Sequence, residues 1–209
     1  MKKILTFFLF SVIFLSKTTY SFSIEPDIFV QSTVNRAAKT LGGNLSKEER
    51  VEKLKEIAKE TVDIKGIGLY SLGSHRKGLS KDQLDNYKKV FEEYFLKSFS
   101  SRLAEYSNPE IEVNSKKKIN DNYTIVSSTL VATDTRPEVK IEWRVYTKDP
   151  ENLLIRDLII EGLSLARTQK EEFSSIINSS EGKIDALISN LSSFSQLREL
   201  RFDWLLGPF

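Results

Sequence analysis

Ser164, in Gly162-Leu163-Ser164-Leu165-Ala166, is the residue whose surroundings most resemble a catalytic motif. The pentapeptide has the form of a nucleophile elbow with alanine in its last position, and it follows a strand-like run and precedes a helix-like one. A serine nucleophile needs a histidine base, and in that arrangement the histidine follows the serine in the chain. The chain's one histidine, His75, lies upstream in Leu72-Gly73-Ser74-His75-Arg76-Lys77-Gly78. Ser74 beside it does not make a dyad, because neighbours in sequence rarely share the geometry a triad needs. Ser164 is better read as a helix cap, its hydroxyl accepting an orphan backbone N–H of a helix that begins at Leu165. His75 is read as a polar residue in a helix-terminal loop. An envelope serine hydrolase using Ser164 or His75 is the alternative from a different functional class.

With one histidine and no cysteine, the chain is expected to hold no transition metal and no cofactor, and thiol chemistry is excluded. The run Lys116-Lys117-Lys118 could touch anionic lipid headgroups or a partner. Runs this short more often form a solvated turn or a protected sheet edge.

The elements that must position these residues follow from hydrophobic period. Pro26 to Leu41 carries Phe29, Val30, Val34, Ala37, Ala38 and Leu41 at helical spacing, and Gly42-Gly43 ends it. Ser46 with Glu49 forms a capping box ahead of Val51, Leu54, Ile57, Ala58 and Val62. Asp63 to Gly73 is a shorter apolar piece. Ser80 with Gln83 opens the longest amphipathic helix, with Leu84, Tyr87, Phe91, Tyr94, Phe95, Phe99, Leu103 and Tyr106 inward and Pro109 closing it. Periodicity does not say whether that aromatic stripe fills a core or lines a hollow.

The period then becomes two. Tyr123 to Thr133 is rich in β-branched residues, and Val139, Ile141, Trp143 and Val145 alternate with Lys140, Glu142, Arg144 and Tyr146. Leu153 to Glu161 reads as a further strand and Ile111 to Ile119 as a weaker one, with turns at Asp134–Pro137 and Asp149–Asn152. Helical spacing returns from Leu165 through Phe194. Segregated helices and strands predict an α+β fold, with helices packed on a curved, mainly antiparallel four-stranded sheet.

The N terminus predicts export. Lys2 and Lys3 precede an apolar run from Ile4 to Leu15, and Ser21-Phe22-Ser23 offers a small-x-small cleavage site. The run falls short of the roughly 20 apolar residues of a spanning helix. The expected organisation is a signal peptide over residues 1–23 and one domain over 24–209, monomeric in the periplasm. Cleavage removes three lysines and no carboxylate from a formal charge of +2, leaving the mature chain near neutral. Nucleic-acid binding rests on clustered cations and is therefore not expected. A cysteine-free domain in an oxidising compartment depends on its core and not on disulfides.

Several segments together resemble one family. Asp157-Leu158-Ile159-Ile160-Glu161-Gly162-Leu163-Ser164-Leu165, then Phe173, Gly182 and Asp185-Ala186-Leu187-Ile188, are similar to the C-terminal signature of the MlaC / toluene-tolerance family. Upstream, Asp63, Ile67, Leu69, Leu72-Gly73, Arg76, Gln83, Phe91 and Phe95 resemble that family's Leu-Gly-x-x-Trp-Arg segment and the Gln and Phe residues after it. Departures from the pattern are His75 in place of an aromatic residue, Thr168-Gln169-Lys170 in place of Asn-Tyr-Arg, and Leu153-Leu154 in place of a Trp.

The resemblance implies a periplasmic phospholipid-binding shuttle with no catalytic residue. It would exchange lipid with an outer-membrane lipoprotein complex and an inner-membrane ABC transporter bearing an MCE-domain protein, maintaining outer-membrane lipid asymmetry. It further implies an apolar lipid cavity between helices and sheet. Leu72, Phe91, Phe95 and Phe99 are the expected lining residues from the helices, and Val126, Leu130, Ile141, Trp143, Leu158 and Ile160 from the sheet. Gly162 is expected to permit close helix–strand approach. Two alternatives to a phospholipid carrier are a hopanoid-associated carrier of the same family and a ligand-free adaptor.

Overall fold

The computed structural model describes residues 23–196, so the signal peptide expected over residues 1–23 lies almost wholly outside the described residues. Four helices come first: α1 (Pro26–Gly42), α2 (Lys47–Thr61), α3 (Ile64–Ser71) and, after a 3-10 turn over Gly73–Gly78, α4 (Lys81–Leu103). Both capping boxes form. Ser46 accepts from Glu49 N–H and Ser80 from Gln83 N–H, while the Glu49 and Gln83 side chains bond back to the cap backbone. Asp63 caps α3 by accepting from Gly66 N–H. Gly68 lets α3 lie against α4, since a Cβ there would sit 2.7 Å from the Phe91 ring. α4 ends at Leu103, short of Pro109, and the backbone turns at Asn108, whose φ is +45°.

The strands follow as β1 (Ile111–Asn120), β2 (Tyr123–Leu130), β3 (Val139–Tyr146), β4 (Leu154–Ile160) and β5 (Leu163–Ser164). They form an antiparallel meander in the order β1-β2-β3-β4-β5. The sheet thus has five strands where four were expected; the fifth is a two-residue return that pairs Ile159 with Ser164 and Ile160 with Leu163. Burial alternates cleanly along β2 and β3, with Val126, Leu130, Val139, Ile141, Trp143 and Val145 on the inner face. β1 is the longest strand although its sequence signal was the weakest. It is an edge strand exposed along most of both faces, so no alternation is imposed on it. The lysine run lies on this edge, and Lys116 is tied by 2.7 Å bonds to Glu25 and Asp27 at the start of α1.

The last helices, α5 (Leu165–Ser179) and α6 (Ile184–Gln196), return across the outside of α3 and α4. Ser164 caps α5 by accepting from Arg167 N–H at 3.1 Å, as its sequence position suggested. Gly162 does not act as expected. A Cβ there would meet nothing within 4 Å. Its role is conformational: Glu161 (φ +48°) and Gly162 (φ +84°) form a tight two-residue hairpin loop, which demands left-handed backbone.

Candidate functional site

The backbone neighbours of α4 are α2, α3 and α6. Between α4 and the inner face of the sheet lies a cavity of about 240 Å³. Phe91, Phe95 and Phe99 roof it from α4; Leu130, Ile141, Trp143, Leu158 and Ile160 floor it from the strands. The side walls come from α1 (Thr33, Val34, Ala37, Ala38, Leu41) and α2 (Leu54, Ile57, Ala58, Thr61). Leu165, Ala166 and Gln169 close the end nearest α5.

Eight of the ten residues expected to line a cavity therefore do so. Leu72 and Val126 do not. Both are fully buried, but among packed side chains of the core. Sequence reading missed the α1 and α2 walls. Their residues were visible as the inward stripes of two amphipathic helices, yet the informative feature is their size. Ala37, Ala38, Ala58, Thr33 and Thr61 are too small to reach across to the α4 aromatics, so space remains.

The lining is apolar in effect as well as in composition. Thr33 Oγ1 donates to Phe29 carbonyl oxygen at 2.9 Å, Thr61 Oγ1 to Ile57 at 2.8 Å and Ser98 Oγ to Phe95 at 3.2 Å, so each hydroxyl is satisfied by its own helix. Trp143 Nε1 donates to Ser128 Oγ at 2.8 Å, leaving the indole face toward the cavity without an unmet donor.

Polar chemistry collects at the α5 end. Asp157 is 3% exposed. It accepts from Ser164 Oγ at 2.6 Å and Ala166 N–H at 3.0 Å, and Arg144 lies 3.6 Å away. The hydroxyl of Ser164 is thus committed to Asp157 and to the α5 N terminus, with no imidazole taking part. His75 sits in the 3-10 turn. Tyr94 Oη donates to Gln169 Oε1 and Gln169 Nε2 to Glu172, both at 3.3 Å. Burial pushes Glu172 up to about 7. Burial, and then the Glu172 charge, push Tyr94 up to about 12.

This α+β architecture is shared with known proteins. The family model described as MlaC protein matches residues 30–193. The chain belongs to the MlaC family. A curated relative, the intermembrane phospholipid transport system binding protein MlaC of Haemophilus influenzae, is 26% identical over 196 residues, spanning 90% of this chain and 89% of the relative. A solved structure of a phospholipid-binding protein from Ralstonia solanacearum, in complex with a phospholipid, superposes with a TM-score of 0.69 at 20% identity. The match covers 82% of this chain and 97% of that one. It establishes that the arrangement of helices on an open antiparallel sheet is the fold of this MlaC family member.

Proposed function

We propose that this MlaC family member is a periplasmic phospholipid carrier. It takes lipid from one membrane complex and delivers it to another, between an outer-membrane lipoprotein complex and an inner-membrane ABC transporter with an MCE-domain protein, and so maintains outer-membrane lipid asymmetry. The observation that carries this reading is the cavity between α4 and the sheet, with predominantly apolar walls and with the hydroxyls of Thr33, Thr61 and Ser98 already satisfied. The phospholipid named for the Haemophilus and Ralstonia proteins supports the same ligand class. A cleaved N-terminal signal would place it in the periplasm. Among the described residues no helix is long and apolar enough to cross a membrane.

The energetics suit a carrier. Each buried methylene is worth about 0.8 kcal/mol, so two acyl chains gain on the order of 25 kcal/mol relative to water. A bilayer offers them nearly the same, so exchange between protein and membrane is close to balanced and direction must come from partners. At about 240 Å³ the cavity is smaller than the roughly 300–1,000 Å³ of drug-sized ligand pockets. Two acyl chains therefore require the helices to part from the sheet. No disulfide opposes that motion, as the chain has no cysteine.

The test is mass spectrometry of lipid extracted from protein purified from the periplasm of its host. The expected result is glycerophospholipid at about one per chain. Protein that comes out lipid-free, and remains so after incubation with phospholipid vesicles, would overturn the reading.

A further inference from the structure

The mature chain is near neutral as a whole, yet one corner of it is strongly basic. The 3-10 turn over Gly73–Gly78 carries Arg76 and Lys77 and no carboxylate. α5 packs against this turn and against α3. Lys170 of α5 lies so near Gly73 that a Cβ there would sit 2.9 Å from its Cε. Arg167 stands one turn earlier on the same side of α5, in a first turn that also holds no carboxylate. A cation at a helix N terminus opposes the helix dipole, so Arg167 does not serve the stability of α5. Exposed Arg76, Lys77 and Arg167, with half-buried Lys170, thus gather four positive charges on two adjoining elements.

These charges are uncommitted. Of the described arginines, Arg36, Arg50, Arg102, Arg136, Arg144 and Arg156 each engage an acceptor. The side chains of Arg76, Arg167 and Lys77 engage none among the described residues. Lys170 meets the Tyr70 ring, its Nζ 5.4 Å from the centroid, and no carboxylate. Glu172, close by in sequence, is turned to Gln169 instead. The lysine run of β1 differs, since Lys116 is held by Glu25 and Asp27 and Lys118 by Asp121.

We propose that the corner formed by the 3-10 turn and the start of α5 docks the protein on an anionic bilayer surface. This goes beyond the carrier reading and holds whichever lipid fills the cavity. Two features favour a bilayer over a folded acidic partner. No hydrogen bond fixes the four cations in a pattern, which suits a fluid array of phosphates better than a matching set of carboxylates. Tyr70, beside Lys170, and Leu163, just ahead of α5, are among the large side chains left exposed. A ring with a polar tip and long cationic stems settle readily at headgroup depth. α5 also closes one end of the cavity through Leu165, Ala166 and Gln169, so a bilayer bound here lies against a helix of the cavity wall.

The experiment is co-sedimentation of the mature chain with vesicles of phosphatidylcholine alone or of equal parts phosphatidylcholine and phosphatidylglycerol. The chain should bind the anionic vesicles at about 0.05 M NaCl, lose them at about 0.5 M, and ignore the neutral ones. Arg76→Gln and Arg167→Gln should each weaken binding about fivefold, and together about 25-fold, as the loss of cations near an anionic surface predicts. Lys47→Gln with Lys117→Gln removes the same charge from α2 and β1 and should leave binding within about twofold. All four side chains are exposed, so the fold does not depend on them. Equal loss in both pairs, or equal binding to both kinds of vesicle, overturns the docking site. No binding to anionic vesicles at low salt also overturns it and leaves the patch to an acidic protein partner. Lipid taken up is measured separately, after the chain is separated from the vesicles. A chain that docks and takes up no phospholipid overturns the carrier reading while the docking site stands.

Discussion

One helix, α4, faces two different interiors. Toward α5 and α6, Tyr87 and Phe91 meet Phe173 edge-on, with centroids 6.5 and 6.1 Å apart, and Tyr94 meets Phe194 at 5.1 Å. Ile177, Leu187 and Leu191 complete a close-packed region. Toward the sheet, Phe95 and Phe99 stack on one another at 5.5 Å and look across empty space at Leu130, Ile141 and Trp143. The residues that α4 contributes to the two sides are alike. What opposes them differs: large side chains on α5 and α6, alanines and threonines on α1 and α2. A hollow is therefore made by the partners of an aromatic stripe and not by the stripe.

The sharpest way to break this contrast is truncation. Phe173→Ala removes a ring that three aromatic neighbours touch and should cost about 3–5 kcal/mol by denaturant unfolding. Phe99→Ala, facing the cavity and only partly buried, should cost less than about 2 kcal/mol because fewer contacts are lost. Equal costs would mean the two sides are packed alike.

Filling the hollow is the next test. Ala58 is 2% exposed and lines the cavity. Ala58→Phe should keep stability within about 1 kcal/mol of the parent while lowering co-purified phospholipid several-fold. In a filled core the same change would overpack and cost about 1–3 kcal/mol, and that outcome with lipid undiminished would erase the distinction.

The smallest effect lies where the packed side meets solvent. Glu172, held up to about 7 by burial, keeps its proton in the folded chain at pH values where the unfolded chain has released it. Stability linked to this group is complete below the ordinary carboxylate range near 4.5 and declines as pH rises toward about 7. Glu172→Gln should flatten the decline between about pH 5 and 8 by about 1 kcal/mol or less, because solvent screens a half-buried group. An unchanged slope in unfolding midpoints would show that Glu172 ionises normally.

Much of the fold was legible in the chain. Ser46/Glu49 and Ser80/Gln83 announced two helices, and alternation at Val139–Val145 announced the central strand, because these signals depend on residues within one turn or one strand. β1 was faint because an exposed edge strand has no buried face to pattern it. Eight of the ten residues named for the cavity reach it, since inward residues of the right elements are few. The walls formed by α1 and α2 were not legible as walls. The misreading of Gly162 has the same origin: a glycine at a turn and a glycine at a close contact look identical in sequence, and the close approach occurs at Gly68 instead.

The amino-acid sequence alone determined the long helices, the four longer strands, their inward faces and the absence of any cysteine-based chemistry, all of which rest on residue type and spacing. Only the tertiary structure decided which inward residues touch and which face a void. Those facts depend on what lies across the gap, and residues far apart in the chain supply it.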